Sequence, residues 1–430
     1  MSNIMTTNDL DTGTAKVSRR RFVQGSTAFG GGLMVGVMLP AAGPAQAAGL
    51  VHTPNAWVHI DDDNTITILS ARAEMGQGVY TSMPMLVAEE LNVDVQKIKV
   101  AFAPPGKVYG NALIFGLQLT GGSTSVREGW EKLRVAGAQV REMLITAAAD
   151  EWKVDRSQLK AEAGVITGPG GKRATYGQLA AAASKLIAPE KVALKDPSEF
   201  RIVGKKTTRL DTPAKVNGTA RFGIDVKLPG MVYATLVQSP VIGGKVKSLD
   251  ATKAKGMPGV IDVVQIPDGV AVVAASYWQA RKARETLGIE WDDGPNAGLN
   301  TATMVAGTRA ALANPPAKPI PVQPPAGDAD AAIAAAGARV VRAEYLTQNA
   351  THSPLEPMNF TAHVDGNKCL LIGPTQWPDA AQGAVAKMLS LDPANIAVES
   401  TFLGGGFGRR IDIDFILQAA QISKAVNKPV

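Results

Sequence analysis

The sequence predicts a mixed α+β protein, and three observations favour this class. Hydrophobic residues make up 45% of the 430 residues and charged residues 19%, a balance that excludes a wholly disordered chain. The 44 glycines and 27 prolines are too many for a helical bundle and suit a protein rich in loops. Short strand-like runs alternate with helix-periodic segments along the chain. At roughly 100–200 residues per domain, the length allows two to four domains.

The first 47 residues have the pattern of an export signal. Residues 18–22 read SRRRF, a glycine-broken apolar stretch follows, and residues 45–47 read AQA, a small-x-small cleavage pattern. The apolar stretch is shorter than the ~20 residues that a membrane-spanning helix needs. The twin arginine predicts a Tat signal peptide over residues 1–47. We therefore expect a periplasmic protein that associates with the inner membrane only through partners.

Residues 48–200 are expected to form one segment of alternating strands and helices. Alternating polarity predicts strands at 57–60 and 65–70, joined by an Asp-rich turn. Residues 80–91 predict a helix and residues 97–102 a strand. Residues 125–152 are helix-periodic, and a shorter Ala-rich helix is predicted at 176–186. The apolar face of the long helix comprises Leu133, Val140, Met143, Leu144 and Ala147.

The remainder of the chain divides into three predicted segments. Residues 205–295 contain short strand-like runs around two helical patterns and predict a compact α/β insert. Residues 296–334 are predicted to be a linker, extended over the Pro-rich run at 314–325. A second α/β segment is expected at 335–430.

A weak internal repeat relates residues 87–100 to residues 385–398. Six of fourteen aligned positions are identical, in a pattern that predicts helix, Asp-containing turn and strand. Chance similarity between two strand–helix–strand units is the alternative. A genuine repeat would place two related subdomains face to face, and ligand pockets favour such interfaces.

Three glycine-containing segments are candidates for binding an anionic cofactor. Residues 74–78 (EMGQG) precede a predicted helix, whose N-terminus favours an anion, and Gln77 offers an amide donor and acceptor; a plain tight turn is the alternative. Residues 120–125 (TGGSTS) suit a phosphate at the start of the long helix, and an ordinary N-cap is the alternative. Residues 404–408 (GGGFG) predict a backbone cradle, without the P-loop or G-x-G-x-x-G pattern.

Charge and cysteine content exclude several functions. The net charge is +6, no Lys/Arg-rich block follows the N-terminus, and aromatic residues make up 5%, so nucleic-acid binding is not expected. Cys369 is the only cysteine, so this chain by itself can form no intrachain disulfide and no Cys-ligated iron–sulfur cluster. The four histidines lack metal-ligand spacing, and we predict no metal ligand in this chain.

Five motifs together resemble the molybdopterin-binding large subunits of the xanthine dehydrogenase/aldehyde oxidase family. They are MGQG at 75–78, TGGSTS at 120–125, TQ at 375–376, AKML at 386–389 and GGGFG at 404–408. The resemblance covers residues 55–430 and is strongest to the isoquinoline 1-oxidoreductase beta-subunit type, which includes exported aldehyde dehydrogenase large subunits. It implies molybdopterin-binding domains at 48–200 and 335–430, the second incomplete at its C-terminus, and an inserted a/b hammerhead domain at 205–295.

The same resemblance implies a cofactor, a reaction and partners. The cofactor is molybdopterin with molybdenum, in the cytosine dinucleotide form. The reaction is hydroxylation of an aldehyde or N-heterocycle with water as the oxygen source. The partners are a small [2Fe–2S] subunit and, in exported members, a cytochrome c subunit. The implied cofactor contacts are Gly76, Gln77, Gly78, Gly121, Gly122, Ser123, Ser125, Gly406, Phe407 and Gly408.

The sequence departs from the family pattern at the positions nearest the chemistry. The family's glutamine near the apical oxo group falls at Ala350, and the glutamate of xanthine dehydrogenase falls at Ile411, so purine recognition of that kind is not expected. The base glutamate of the Gly-x-Gly-Glu motif is expected beyond Val430. The resemblance therefore implies the large subunit, or the N-terminal portion, of a molybdenum hydroxylase. The alternative is a non-catalytic exported module for cofactor binding or assembly that lost the base.

Overall fold

The computed structural model describes residues 51–315 and 327–430, which confirm the mixed α+β class. The predicted signal peptide at 1–47 and residues 316–326 of the Pro-rich run lie outside the described residues. The described helices are α1 Val79–Leu91, α2 Ser125–Trp152, α3 Tyr176–Ala183, α4 Thr212–Val216, α5 Thr252–Lys255, α6 Tyr277–Arg284, α7 Thr301–Ala313, α8 Ala329–Ala336, α9 Pro378–Leu389 and α10 Asp414–Val426. The described strands are β1 Val51–Asn55, β2 Val58–Asp61, β3 Ile66–Ser70, β4 Lys99–Phe102, β5 Lys160–Glu162, β6 Val165–Thr167, β7 Arg173–Thr175, β8 Tyr233–Gln238, β9 Lys245–Asp250, β10 Val260–Ile266, β11 Gly269–Ala274, β12 Gly288–Asp292, β13 Thr361–Asp365, β14 Lys368–Gly373 and β15 Ile396–Ser400.

The described chain divides into two compact units, each discontinuous in sequence. The first unit combines residues up to Val226 with Ile372–Ile413, and the second combines Lys227–Leu371 with Asp414–Val430. The predicted insert at 205–295 is therefore divided between them. Its first residues belong to the first unit, where the Arg209 guanidinium donates a hydrogen bond to the Gly76 carbonyl at 2.8 Å. The predicted domain boundaries stay predictions.

The first unit begins with a four-stranded sheet in the order β1-β2-β3-β4. The predicted hairpin of β2 and β3 is confirmed, and Asn64 takes a φ of 70° at its turn, a conformation that asparagine tolerates. Strand β4 pairs in parallel with β3, with Thr67 opposite Lys99. Parallel neighbours need a crossover connection, and α1 supplies it.

Helix α2 packs on α1 and has the bounds that its periodicity predicts. Its predicted apolar face is buried, with Leu144 and Val140 fully inaccessible. Gly137 allows the two helices to approach, since a Cβ there would lie 2.4 Å from the Val87 carbonyl oxygen. Strands β5, β6 and β7 and helix α3 complete this core. The sequence analysis missed these three strands because three residues carry too little periodicity.

The pattern of helix, Asp-containing turn and strand is confirmed in both halves of the internal repeat, whose common origin stays a prediction. Helices α1, α2 and α9 each end in a left-handed residue, Asn92, Lys153 and Ser390, with φ of 58°, 56° and 57°. The amide of the next residue then donates to a carbonyl five residues back in the helix, as Leu391 does to Ala386 at 2.9 Å. This motif satisfies carbonyls that a helix end leaves open.

Each of these helix ends is followed by an aspartate that caps a short 3₁₀ turn. Asp94 accepts from the Gln96 amide at 2.9 Å, and Asp155 and Asp392 accept from the amides two residues on at 2.8 Å each. Strands β4, β5 and β15 follow these turns. The turn at Asp94 also explains why β4 begins at Lys99 and not at residue 97. The sequence analysis missed the third copy, at Asp155, although residues 148–161 match residues 87–100 at five of fourteen positions; they match residues 385–398 at only two.

The second unit is built on an antiparallel sheet in the order β10-β11-β8, with β11 fully buried. Strands β9 and β12 form a separate pair, which the sequence analysis missed because charged residues hide their alternation. Helix α10 packs on β13. Helices α7 and α8 lie on either side of the Pro-rich run, α7 within the predicted linker and α8 extending two residues past its end at 334. Residues 340–360 form no helix or strand, so regular structure in the predicted C-terminal segment resumes at Thr361.

Candidate functional site

The predicted cofactor contacts lie on three loops of the first unit. The first loop is residues 74–78, between β3 and α1. The second loop is residues 120–125, before α2. The third loop is residues 404–408, after β15. The structure brings all three together in one region.

Backbone hydrogen bonds join the three loops. The Leu403 amide, beside the third loop, donates to the Glu74 carbonyl at 3.0 Å. The Thr120 hydroxyl accepts from the Ala73 amide at 2.8 Å, which links the second loop to the first. The site is therefore a connected network of backbone groups and the Thr120 hydroxyl, and not three separate turns.

Glu74 organises the first loop from a fully buried position. Its carboxylate accepts hydrogen bonds from the amides of Gly76 at 2.8 Å, Gly78 at 3.1 Å and Tyr80 at 2.9 Å. Gly76 and Gly78 have φ of 110° and 92°, conformations that favour glycine. The carboxylate lies at the start of α1, so the protein's own Glu74 fills the anion position that the sequence analysis assigned to a ligand.

Gln77 is exposed, and both ends of its amide contact its own loop. The oxygen accepts from the Met75 amide at 2.6 Å, and the nitrogen donates to the Ala73 carbonyl at 2.8 Å. Each end of the amide makes one hydrogen bond, so one N–H donor and one oxygen lone pair remain for a cofactor. Its predicted role stays a prediction.

The second loop leaves the start of α2 without a side-chain cap. The Thr124 hydroxyl donates to the Gly121 carbonyl at 2.8 Å and accepts from the side-chain nitrogen of Asn111 at 2.7 Å. It therefore does not cap the helix. The alternative of an ordinary N-cap is therefore wrong. Ser123 is exposed, Ser125 begins the helix, and Gly122 has a φ of 61°. The first amides of this 28-residue helix are suited to an anion.

Gly406, in the third loop, lies where Met75 and Gln376 meet. A Cβ at Gly406 would lie 2.4 Å from Met75 Sδ and 2.7 Å from Gln376 Oε1. Phe407 is 72% exposed with a φ of 52°, and Gly408 has a φ of 92°. A left-handed phenylalanine is strained by about 1–3 kcal/mol, and such outliers cluster at functional sites.

Gln376 connects the second and third loops from a buried position. Its carbonyl accepts from the Thr120 amide at 2.9 Å, and its side-chain nitrogen donates to the Thr120 carbonyl at 2.8 Å. Its own amide donates to the Arg410 carbonyl at 2.9 Å. Its side-chain oxygen is buried and has no hydrogen-bond partner among the described residues. The TQ motif drew attention to this residue, but the sequence analysis did not place it among the cofactor contacts.

The two positions that depart from the family pattern lie in different units. Ile411, in the first unit, is beside the second loop, because its Cδ1 would lie 3.7 Å from a Cβ at Gly121. Ala350 is exposed and belongs to the irregular segment of the second unit. The apolar Ile411 side chain provides no carboxylate beside the site.

Three aromatic rings pack between α1, β4 and the start of the third loop. The ring centroids of Tyr80, Phe102 and Phe402 lie 4.9–5.5 Å apart. The Tyr80 hydroxyl donates to the Val100 carbonyl at 2.5 Å, and burial raises the pKa of Tyr80 to about 12. These rings pack beside the first and third loops, and the Tyr80 hydroxyl does not ionise near neutral pH.

An ion cluster that the sequence analysis missed lies against the first loop. The Arg209 guanidinium donates to the Glu74 carboxylate at 3.0 Å and to both oxygens of Asp211, at 2.9 and 2.6 Å. Lys215 donates to Asp211 at 2.6 Å. No periodic pattern marks such a cluster, because its members come from an irregular segment and a one-turn helix.

Asp211 is held ionised by this cluster. Burial acts to raise its pKa, but the hydrogen bonds from Arg209 and Lys215 outweigh burial and lower the pKa to about 2. The side chain is only 1% exposed, so its charge depends on these two partners.

We expect Asp211 to make the protein sensitive to acid. Its folded-state pKa of about 2 lies below its ordinary 3.8, so its stabilising effect is complete above pH ~4 and is lost as the pH falls towards 2. The Asp211→Asn variant should show a shallower decline of unfolding free energy over this range. Urea unfolding of both proteins at several pH values measures it, and parallel curves would contradict the expectation.

Comparison with known families identifies the class of protein to which this fold and site belong. Two profiles of molybdopterin cofactor-binding domains match the chain, over residues 5–228 and residues 314–430. The chain belongs to the family of molybdopterin-binding proteins, which confirms the resemblance drawn from the motifs.

Individual relatives support the predicted type. The isoquinoline 1-oxidoreductase subunit beta of Brevundimonas diminuta is 32% identical, over 97% of this chain and 59% of that protein. The membrane-bound aldehyde dehydrogenase [pyrroloquinoline-quinone] of Gluconacetobacter polyoxogenes is also 32% identical, over 97% of this chain and 55% of that protein. The chain thus spans somewhat more than half the length of these relatives.

Similarity to solved structures is more distant. The crystal structure of quinoline 2-oxidoreductase from Pseudomonas putida 86 aligns with a TM-score of 0.42 and 21% identity, over 53% of this chain and 34% of that chain. Within the described part of the chain, no group of three or more His, Cys, Asp or Glu side chains is placed to bind a metal. No described helix has the length and apolar character to cross a bilayer.

Proposed function

We propose that this chain is the molybdopterin-binding large subunit, or the N-terminal portion of one, of a molybdenum hydroxylase. In this proposal the enzyme oxidises an aldehyde or an N-heterocycle and takes the oxygen from water. The observation that carries the proposal is that hydrogen bonds connect the three loops, with Gln376 and Met75 packed so closely on Gly406 that a Cβ there would displace them. The names of the two relatives, an isoquinoline oxidoreductase subunit and an aldehyde dehydrogenase, support the two substrate classes.

The residues of the site fit a pterin dinucleotide. The buried Gln376 oxygen lacks a partner and would accept a hydrogen bond from a pterin N–H. The uncapped start of α2, with the backbone of Gly121 and Gly122, would hold a pyrophosphate. The amides of Gly406, Phe407 and Gly408 would face the metal end. When bound, the cofactor supplies the two-electron chemistry, and this chain supplies binding and orientation.

The remaining assignments concern the cofactor form and the partners. The proposed form is molybdopterin cytosine dinucleotide, and the proposed electron acceptor is a small [2Fe–2S] subunit, followed in exported systems by cytochrome c. Cys369 is buried, and burial raises its pKa to about 12, so it is a poor thiolate ligand. The cluster is therefore assigned to a partner.

The cofactor proposal predicts the composition of the purified chain. Protein from cells grown with molybdate should contain molybdenum and a pterin that yields the fluorescent oxidised derivative. Gly406→Ala should lower molybdenum per chain about tenfold, equivalent to ~1.4 kcal/mol of binding, because its Cβ displaces Met75 and Gln376.

Gly383→Ala is the matched control, since a Cβ there meets no atom within 4 Å. It should retain the wild-type molybdenum content. Wild-type protein that holds pyrroloquinoline quinone and no molybdenum would contradict the proposal, as would equal loading of wild type and Gly406→Ala.

The proposal includes export by the Tat pathway into the periplasm. The protein would then associate with the inner membrane only through partners. The SRRRF sequence at 18–22 and the AQA sequence at 45–47 support it. Replacing Arg19 and Arg20 by lysine should leave the protein in the cytoplasm, and fractionation of cells measures this. Unchanged secretion of the variant would remove the Tat assignment.

The reaction is tested on the whole complex, because the chain spans 59% and 55% of the two relatives. Complex isolated from its native cells should oxidise aldehydes or N-heterocycles and incorporate ¹⁸O from labelled water. Oxidation with oxygen drawn from O₂ would contradict the proposed oxygen source.

A further inference from the structure

We propose that Glu74 and Arg209 are positioning residues that fix the first loop in its cofactor-binding conformation. This inference rests on the proposed function, because it assigns these residues a role towards the same cofactor.

The two glycines of the first loop have no side chains to pack, although Met75 of the same loop contacts Gly406. A Cβ at Gly76 or at Gly78 would meet no atom within 4 Å, and Gln77 is exposed. A glycine-rich segment without packing contacts has many accessible conformations. Its observed conformation therefore depends largely on hydrogen bonds, two of which the Gln77 side chain makes.

The buried carboxylate of Glu74 accepts three of these hydrogen bonds. Its two oxygens take the amides of Gly76, Gly78 and Tyr80, which fixes the direction of three peptide groups at once. The Glu74 carbonyl also accepts from Leu403, at 3.0 Å. A displacement of Glu74 would therefore reach the third loop as well.

Arg209 also contacts both the backbone of the first loop and the Glu74 carboxylate. Its guanidinium donates to the Gly76 carbonyl and to the Glu74 carboxylate, while Asp211 accepts two of its hydrogen bonds. A planar guanidinium holds these three partners in fixed relative positions. A lysine ammonium has the same charge but not that geometry.

The cations of the same ion cluster, Arg209 and Lys215, neutralise the negative charge of Glu74. A buried carboxylate without counterions would repel the phosphates of an approaching cofactor. Arg209 lies 3.0 Å and Lys215 3.8 Å from the Glu74 carboxylate, and Asp211 holds both cations in place. The site can therefore use a buried glutamate for positioning without opposing an anionic ligand.

The test compares the variants Arg209→Lys and Glu74→Gln with the control variant Arg201→Lys. In the wild-type protein, the Arg201 guanidinium forms an exposed ion pair with Glu162 at 2.9 Å. Hydrogen–deuterium exchange is measured on residues 75–80, with molybdenum per chain and the melting temperature on the same preparations. Arg209→Lys should exchange about tenfold faster at these amides and hold about tenfold less molybdenum, with little change in melting temperature. Arg201→Lys should match wild type in all three measurements.

Chemical rescue separates positioning from a general loss of folding. Arg209→Ala should regain molybdenum loading in millimolar guanidinium but not in sodium chloride of equal concentration, since the Arg209 side chain is 38% exposed and its position is reachable. Faster exchange with wild-type molybdenum content would overturn this inference and leave the proposed function standing. Wild-type protein without molybdenum would overturn both. Rescue by sodium chloride, or unchanged exchange in Arg209→Lys, would overturn the inference alone.

Discussion

Replacing Glu90 by alanine is expected to lower the free energy of unfolding by about 3–5 kcal/mol, the cost of breaking a buried ion pair from one side. Glu90, on α1, is fully buried and accepts from Arg134 Nε at 2.9 Å and from the Lys195 amide at 3.2 Å. Arg141 pairs with its other oxygen at 3.4 Å. The alanine variant would leave two poorly solvated guanidinium groups without this carboxylate.

Glu162→Ala is the matched control for this prediction. Glu162 also pairs with two cations, Lys160 and Arg201, but its side chain is 45% exposed. Exposed pairs contribute ~0–1 kcal/mol, so this variant should unfold close to wild type. Urea denaturation followed by circular dichroism measures both variants. A loss below ~1 kcal/mol for Glu90→Ala would show that the surrounding cations find other partners.

The second large effect is expected from Gly137→Ala, at the crossing of α1 and α2. The new methyl group would lie 2.4 Å from the Val87 carbonyl oxygen, a backbone atom that cannot rotate away. The two helices must separate, and the expected destabilisation is about 1–3 kcal/mol or more. It should appear as a lower urea midpoint.

Gly383→Ala again serves as the control, because Gly383 is an exposed interior residue of α9 with open space around it. Alanine in an exposed helix should raise stability by up to ~1 kcal/mol. Opposite signs for the two glycine-to-alanine changes would identify the backbone contact as the cause. Equal signs would contradict the role given to Gly137.

The extent to which the fold was predictable follows from the length of each element. Helix α2 was predicted to the residue because 28 residues repeat the apolar pattern many times. Strands β5, β6 and β7 have three residues each, and no pattern with a period of two can be read from so few. The Asp155 turn was missed although its neighbours match the first copy at five of fourteen positions, because they match residues 385–398 at only two.

The sequence predicted the parts of the site in which the backbone conformation requires glycine. It did not predict the hydrogen bonds by which side chains hold the backbone of the loops. The three loops were found because positive φ angles leave glycines in the sequence. Gln77 was singled out for its amide, yet the structure gives that amide to its own loop, whereas Gln376 carries the buried oxygen without a partner. The Glu74 and Arg209 contacts join residues more than 130 positions apart, a distance over which one sequence gives no signal.

The three Asp-capped turns have an evolutionary consequence. The helix before each turn begins at a segment that builds the site: the first loop precedes α1, the second loop precedes α2, and Gln376 lies just before α9. Duplication of one ancestral helix–turn–strand module would produce this arrangement. The C-terminal ends of the helices share the common turn, while three different segments precede their N-terminal ends. New ligand contacts can therefore evolve at one end of each module while the other end continues to specify the fold.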